Sequence, residues 1–270
     1  MTLVSVHGEE KYLAETLKKN MDGLKELVKK KWDGVGFICG YEGDGKSTLA
    51  SQMAYYLDST YNLDRCVFTG RQFLEAVDKA KKFECIVFDE AHNAFANTNR
   101  YEEVNKIIIS KLTMIRKKQL FILIVAPTFF SLNKYLVVHR ARFMIHVYSK
   151  GLQRGFLRFF NREVKHYLYI RGKKDENMYS AKPNFTTTFT GWFPLVEEAY
   201  ESKKDEATEE LDAGINGGSV REQRNKLLYL YFEEPKLTVD NVSVLIGLDG
   251  SSINRIRRRG KVLGVGGGNK

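Results

Sequence analysis

Between residues 34 and 148 the apolar positions gather into five short runs separated by amphipathic stretches. The runs are 34–39 (GVGFIC), 66–68, 84–88 (ECIVF), 120–126 (LFILIVA) and 143–148 (FMIHVY). Each is strand-sized and nearly continuous rather than alternating, the pattern of strands buried on both faces. Residues 47–57, 71–82 and 101–118 have helical character, and Pro127 ends the fourth run. Upstream, Leu13, Leu17, Leu24, Leu27 and Val28 share one face of a lysine-rich stretch, which predicts a helix over 9–32. Strands that alternate with helices predict an α/β fold: a mostly parallel sheet with helices on both faces.

The pattern changes after residue 150. Residues 151–171 mix aromatic and basic side chains without one period, and 173–190 read as polar and irregular. Residues 201–218 are charged and then glycine-rich, with few large apolar side chains, and read as a linker. Periodicity returns over 221–261. The expected organisation is an α/β domain over 1–200, a linker over 201–219, a small all-α helix-turn-helix domain over 220–262 and a disordered tail over 263–270. No internal repeat is visible.

Charge narrows the partners. Lys and Arg number 43 against 33 Asp and Glu, a formal charge of +10, which favours an acidic partner and above all nucleic acid. Cys39, Cys66 and Cys85 show no metal-ligand spacing; Cys39 and Cys85 read as small apolar residues, and the three together point to a reducing, cytoplasmic setting. No apolar run is long enough to predict a membrane segment.

The chemistry begins where the first run ends. Gly40-Tyr-Glu-Gly43-Asp44-Gly45-Lys46-Ser47 matches GxxxxGK[ST] between a predicted strand and a predicted helix. Glycines let the backbone curl so that its N–H groups converge on a phosphate. The helix start adds its positive dipole end. Lys46 would neutralise the β- and γ-phosphates of ATP, Ser47 would ligate Mg²⁺, and Thr48 would reach the α-phosphate. The third run delivers Asp89 to the Mg²⁺ shell and Glu90 to the attacking water. The letters DEAH at 89–92 suggest a two-domain helicase, but too little chain remains for a second such domain. Thr128, at the tip of the fourth run, is a candidate γ-phosphate sensor or a local cap. Arg140 and Arg142 are candidates for a finger reaching a neighbouring subunit's nucleotide, or an ordinary surface pair.

GYEGDGKS, IVFDEAHNAF, LFILIVAPT and HRARF together resemble the additional-strand P-loop ATPases. Within them the chain is most similar to the viral and plasmid motors of the zonular-occludens-toxin-like, HerA/FtsK-like and DNA-packaging kinds. The resemblance covers roughly residues 34–148. It implies a ring-shaped homo-oligomer that works on DNA or on virion assembly. The membrane segment usual in the zonular-occludens type is not seen, nor is the nuclease domain of large terminases.

Residues 237–256 resemble a helix-turn-helix. Val242, Leu245, Ile246, Ile253 and Ile256 would face inward, with Gly247 at the turn. Ser252, Asn254, Arg255, Arg257, Arg258 and Arg259 would then meet base edges and phosphates of double-stranded DNA. A small bundle with a solvated basic face is the alternative. The leading expectation is an ATP-hydrolysing DNA motor of a virus or mobile element, for genome packaging or translocation. A nucleotide-controlled DNA-binding switch (a loader or partition-type ATPase) and a virion assembly or extrusion ATPase are the other readings.

Overall fold

The computed structural model describes residues 2–6, 8–32, 34–89, 111, 114–130 and 134–216. Glu90, His92 and everything from residue 217 onward, including the six helix-turn-helix residues, lie outside the described residues. The chain divides into two units, 1–204 and 205–270.

The first unit is built on a seven-stranded sheet. Its strands are β3 (Gly34–Cys39), β4 (Cys66–Val67), β5 (Cys85–Phe88), β6 (Phe121–Ala126), β7 (Phe143–Lys150), β8 (Gln153–Phe160) and β9 (Phe185–Thr188). Their order across the sheet is β4-β5-β6-β3-β7-β8-β9. The first five are parallel, and β8 and β9 add antiparallel strands at one edge. Strand β6 therefore stands between β3 and β5, the strands carrying the two phosphate-site motifs. A P-loop fold with an added central strand has this order.

Both faces are covered, as the continuous apolar runs require. On one face Val35, Phe37, Ile86, Phe88, Ile122 and Ile124 pack with Phe73 and Val77 of α3 (Gly70–Lys79) and with Leu168 and Tyr169 of α4 (Arg162–Gly172). Thr69 caps α3 by accepting the N–H of Gln72, and Asn161 caps α4 by accepting that of Val164. On the other face α2 (Lys46–Leu57) lies against β5 and β6, and α1 (Glu15–Lys29) against α2 and β3. Helix α1 buries Leu17, Met21, Leu24 and Val28, a stripe at helical spacing. The cysteines Cys39, Cys66 and Cys85 are free thiols sealed in the sheet.

At four places the structure adds to or departs from the sequence pattern. The helix predicted over 9–32 starts only at Glu15. Residues Glu9–Leu13 form β2, antiparallel to β1 (Thr2–Val6) across a turn in which Gly8 has φ +86°. In that position the segment's few apolar side chains serve a hairpin rather than a helix face. The untyped stretch 151–171 is strand β8 followed by α4. The stretch 173–190 contains β9, whose half-exposed FTTT alternates outward and inward at the sheet edge. The stretch 201–218 is helical through 216, as part of α5 (Glu197–Asn216). Among the described residues no helix is long and apolar enough to cross a membrane.

Candidate functional site

The carboxyl end of β3 opens into the loop that the motif predicts. Gly40, Gly43 and Gly45 have φ of +152°, +79° and +94°, conformations that L-residues with side chains rarely adopt. Gly40 is doubly constrained: a Cβ there would stand 2.3 Å from the Val147 carbonyl oxygen. The loop is stitched from within. Tyr41 and Asp44 exchange bonds, Tyr41 N donating to Asp44 Oδ2 at 3.2 Å and Asp44 N to the Tyr41 carbonyl at 3.3 Å. Gly40 N donates to the Pro127 carbonyl at 3.2 Å, tying the loop to the end of β6. The side chain of the loop residue Asp44 thus braces the loop.

Helix α2 starts at Lys46, so its first free N–H groups open toward the loop. A cavity of about 460 Å³ lies there, lined by Gly43, Gly45, Lys46, Ser47, Thr48 and Asp89 among others. Nζ of Lys46 rests on the Tyr41 carbonyl at 2.7 Å. Burial lowers the Lys46 pKa, and the carboxylates of Asp89 and Asp44 pull it back.

Asp89 is buried just past β5 and faces Ser47 through a third side chain. The Tyr200 hydroxyl donates to Asp89 Oδ2 at 2.6 Å and stands beside the Ser47 side chain. Its ring is clasped edge-on by Phe68 and Phe193. Burial and the Asp89 carboxylate push its pKa upward. One hydroxyl and one carboxylate that line the same cavity suit Mg²⁺, which takes one or two protein oxygens alongside phosphate and water.

The antiparallel addition closes the site from the side, which the sequence reading missed. Ser149 donates to Asp44 Oδ1 at 2.5 Å. A terminal nitrogen of Arg154 lies 3.9 Å from where a Cβ on Gly43 would stand, and the Phe189 ring lies 3.2 Å from one on Gly45. Arg154 and Lys204 line the phosphate cavity. The mixed aromatic and basic composition of 151–171 was the available signal. Its strand register, which decides which cation reaches the loop, was not legible.

Not every predicted residue comes together. Thr128 lies in an adjoining cavity of about 590 Å³ with His146, Asp175 and Glu176. It donates to Glu176 Oε2 at 3.4 Å and accepts the Phe130 N–H at 3.3 Å, a local turn bond. Burial and then Arg158 lower the His146 pKa to about 4. The carboxylates of this larger cavity would repel a polyphosphate, so the smaller one beside Lys46 fits a nucleotide better. Arg140 and Arg142 lie before β7, at the amino ends of the parallel strands. Arg142 N donates to the Val35 carbonyl at the start of β3. Five residues of strand, roughly 16 Å, separate that point from Gly40.

No protein-family model matches the chain, and no curated protein matches it. Among solved structures, it is similar to the N-terminal domain of zonular occludens toxin from Neisseria meningitidis. Identity is 17%, the match covers 63% of this chain and 98% of that one, and the TM-score is 0.40. It is similar to B204, the DNA-packaging ATPase from Sulfolobus Turreted Icosahedral Virus, at 12% identity, with 50% and 95% covered and a TM-score of 0.35. A third likeness is to the FIGL-1 AAA domain in complex with ADP, at 9% identity, with 74% and 88% covered and a TM-score of 0.37. At such values the reading of the site rests on its own geometry.

Proposed function

We propose that this chain binds Mg-ATP at the loop 40–47, hydrolyses it and uses the cycle to act on double-stranded DNA as a motor. One observation carries the nucleotide reading: the loop curled by positive-φ glycines at the head of α2, with Lys46 and Ser47 facing the buried Asp89 across one cavity. Lys46, Arg154 and Lys204 supply cations to the phosphates, and loop and helix N–H groups orient them. Ser47 and Asp89 would hold Mg²⁺, whose bound charge offsets that developing on the phosphate oxygens. Glu90, one residue beyond Asp89, is the proposed base that draws a proton from the attacking water. The protein's part is positioning and charge, as phosphoryl transfer requires.

The DNA part rests on the formal charge of +10 and on the polar and basic residues assigned to the 220–262 segment, namely Ser252, Asn254, Arg255, Arg257, Arg258 and Arg259. The test is steady-state ATP turnover with and without long duplex of mixed sequence. A motor is stimulated by any long duplex. Slow turnover with preference for one sequence indicates a switch. Indifference to DNA indicates an assembly ATPase.

A further inference from the structure

The amino ends of the parallel strands gather a second set of charged groups. Trp32 precedes β3, Arg116 precedes β6, and His139, Arg140 and Arg142 precede β7. Arg162 follows β8, which runs antiparallel and so ends on the same side. The topology brings these distant segments to one spot, where they line a cavity of about 130 Å³. That is the space of about four waters, suited to one phosphate group.

The lining is pre-arranged. The Arg142 guanidinium lies 4.5 Å from the centre of the Trp32 ring, a cation–π contact. Trp32 is held by the end of α1, its N–H bonded to the Leu27 carbonyl at 3.1 Å. Nε of Arg116 donates to the Lys31 carbonyl at 2.8 Å, which fixes this guanidinium at the cavity wall. The π-helical turn Tyr135–Arg140 that carries His139 and Arg140 is fastened from beneath by Lys165. This fully buried amine donates to the carbonyls of Val137, Val138 and Ala141. Burial, then the charges of Arg162 and Arg142, lower the Lys165 pKa to about 7.

A second, shallower cleft of about 500 Å³ shares His139 and Arg162 and continues to His166 and the exposed ring of Tyr167, with Glu163 at its side. Two joined concavities, basic with exposed aromatics, form a track rather than a single-anion hole. Guanidinium groups match phosphate oxygens in geometry as well as charge.

We infer that this end of the sheet is a backbone-binding site for a polynucleotide, with Trp32, Arg116, Arg142 and Arg162 seating one phosphate and the adjoining cleft receiving the next stretch of strand. The inference deepens the DNA reading and rests on it. It locates contact on the α/β unit itself, on the side away from the nucleotide.

The test uses the full chain and a fluorescein-labelled duplex titrated by anisotropy at several salt concentrations. Arg116→Gln/Arg162→Gln is compared with Lys19→Gln/Arg71→Gln. The control removes the same charge from exposed positions on α1 and α3, whose side chains are 73% and 83% accessible. The pocket variant should bind on the order of tenfold more weakly, with the salt slope of log K flattened by about two units, while the control changes little. Circular dichroism and basal ATP turnover of both should match the parent. If pocket variant and control bind alike, this site is refuted while the DNA reading stands. If the parent itself has no affinity for duplex, the DNA reading fails first and the site with it. Unchanged duplex binding with lost turnover would assign the arginines to a neighbouring copy's nucleotide, and overturn the inference.

Discussion

The two ends of the same parallel strands carry opposite chemistry. At the carboxyl ends, cations stand against a buried carboxylate: Lys46, Ser47 and Asp89 surround one cavity, and Tyr200 bonds Asp89 beside Ser47. At the amino ends, Trp32, Arg116, His139, Arg140, Arg142 and Arg162 line a cavity whose lining contains no acid among the described residues. The first arrangement suits an anion that brings its own metal. The second suits an anion whose charge must be met by protein alone. A parallel sheet sorts loops by strand end, so residues far apart in sequence acquire one shared chemistry.

The comparison breaks hardest at the carboxyl end. Lys46→Ala should weaken nucleotide binding by on the order of a hundredfold, because a charge-assisted contact in a partly buried site is lost. Titration with a fluorescent ATP analogue reads this, and unchanged affinity would remove Lys46 from the phosphates. Glu90→Gln should leave that affinity intact and lower turnover by about two to four orders of magnitude, since an amide cannot take the proton. Wild-type turnover in this variant would exclude Glu90 as the base.

Arg140 and Arg142 test whether the amino end also serves a neighbour. If they act as a finger, mixing Arg140→Ala/Arg142→Ala chains with Glu90→Gln chains restores part of the activity, because one interface then holds an intact base and an intact finger. Absence of recovery in demonstrably mixed oligomers would count against a finger in trans.

Smaller effects sharpen the contrast. Tyr200→Phe removes the hydroxyl that bonds Asp89 beside Ser47, so the Mg²⁺ concentration needed for tight nucleotide binding should fall by about three- to tenfold. A magnesium titration at fixed nucleotide checks it, and an unaltered midpoint would mean the phenol does not compete. At the other end, Lys165 has a folded pKa lowered to about 7 from a reference near 10.5. The unfolded chain therefore binds this proton more tightly between those values, so stability should rise as pH climbs from 7 toward 10. Urea midpoints across that window, parent against Lys165→Met, should show the slope flatten in the variant. Equal slopes would assign the dependence elsewhere.

Much of the carboxyl end was legible. A loop that must curl around phosphate needs glycines at fixed spacing, and buried strands need unbroken apolar runs. Gly40, Lys46 and Asp89 therefore announced themselves, and β3 was placed at Gly34–Cys39 with both ends right. The lateral closure by Ser149, Arg154 and Phe189 was not legible, because it depends on antiparallel register at a sheet edge. Tyr200 stayed hidden for another reason. It meets a carboxylate 111 residues away in sequence, a pairing that only the fold creates. The amino-end cluster was seen only as Arg140 and Arg142, since Trp32, Arg116 and Arg162 join them through topology alone.

The sealed thiols have a practical meaning. Burial drives the pKa of Cys39, Cys66 and Cys85 upward, to about 12 for Cys66, so almost no thiolate forms at neutral pH. The native chain should be silent toward maleimides and slow to oxidise. A single cysteine introduced on the surface would then be the sole labelling point, ready for distance measurements during turnover. The native three would react only when β3, β4 and β5 part, which makes alkylation a clock for the opening of the strands that hold the nucleotide loop.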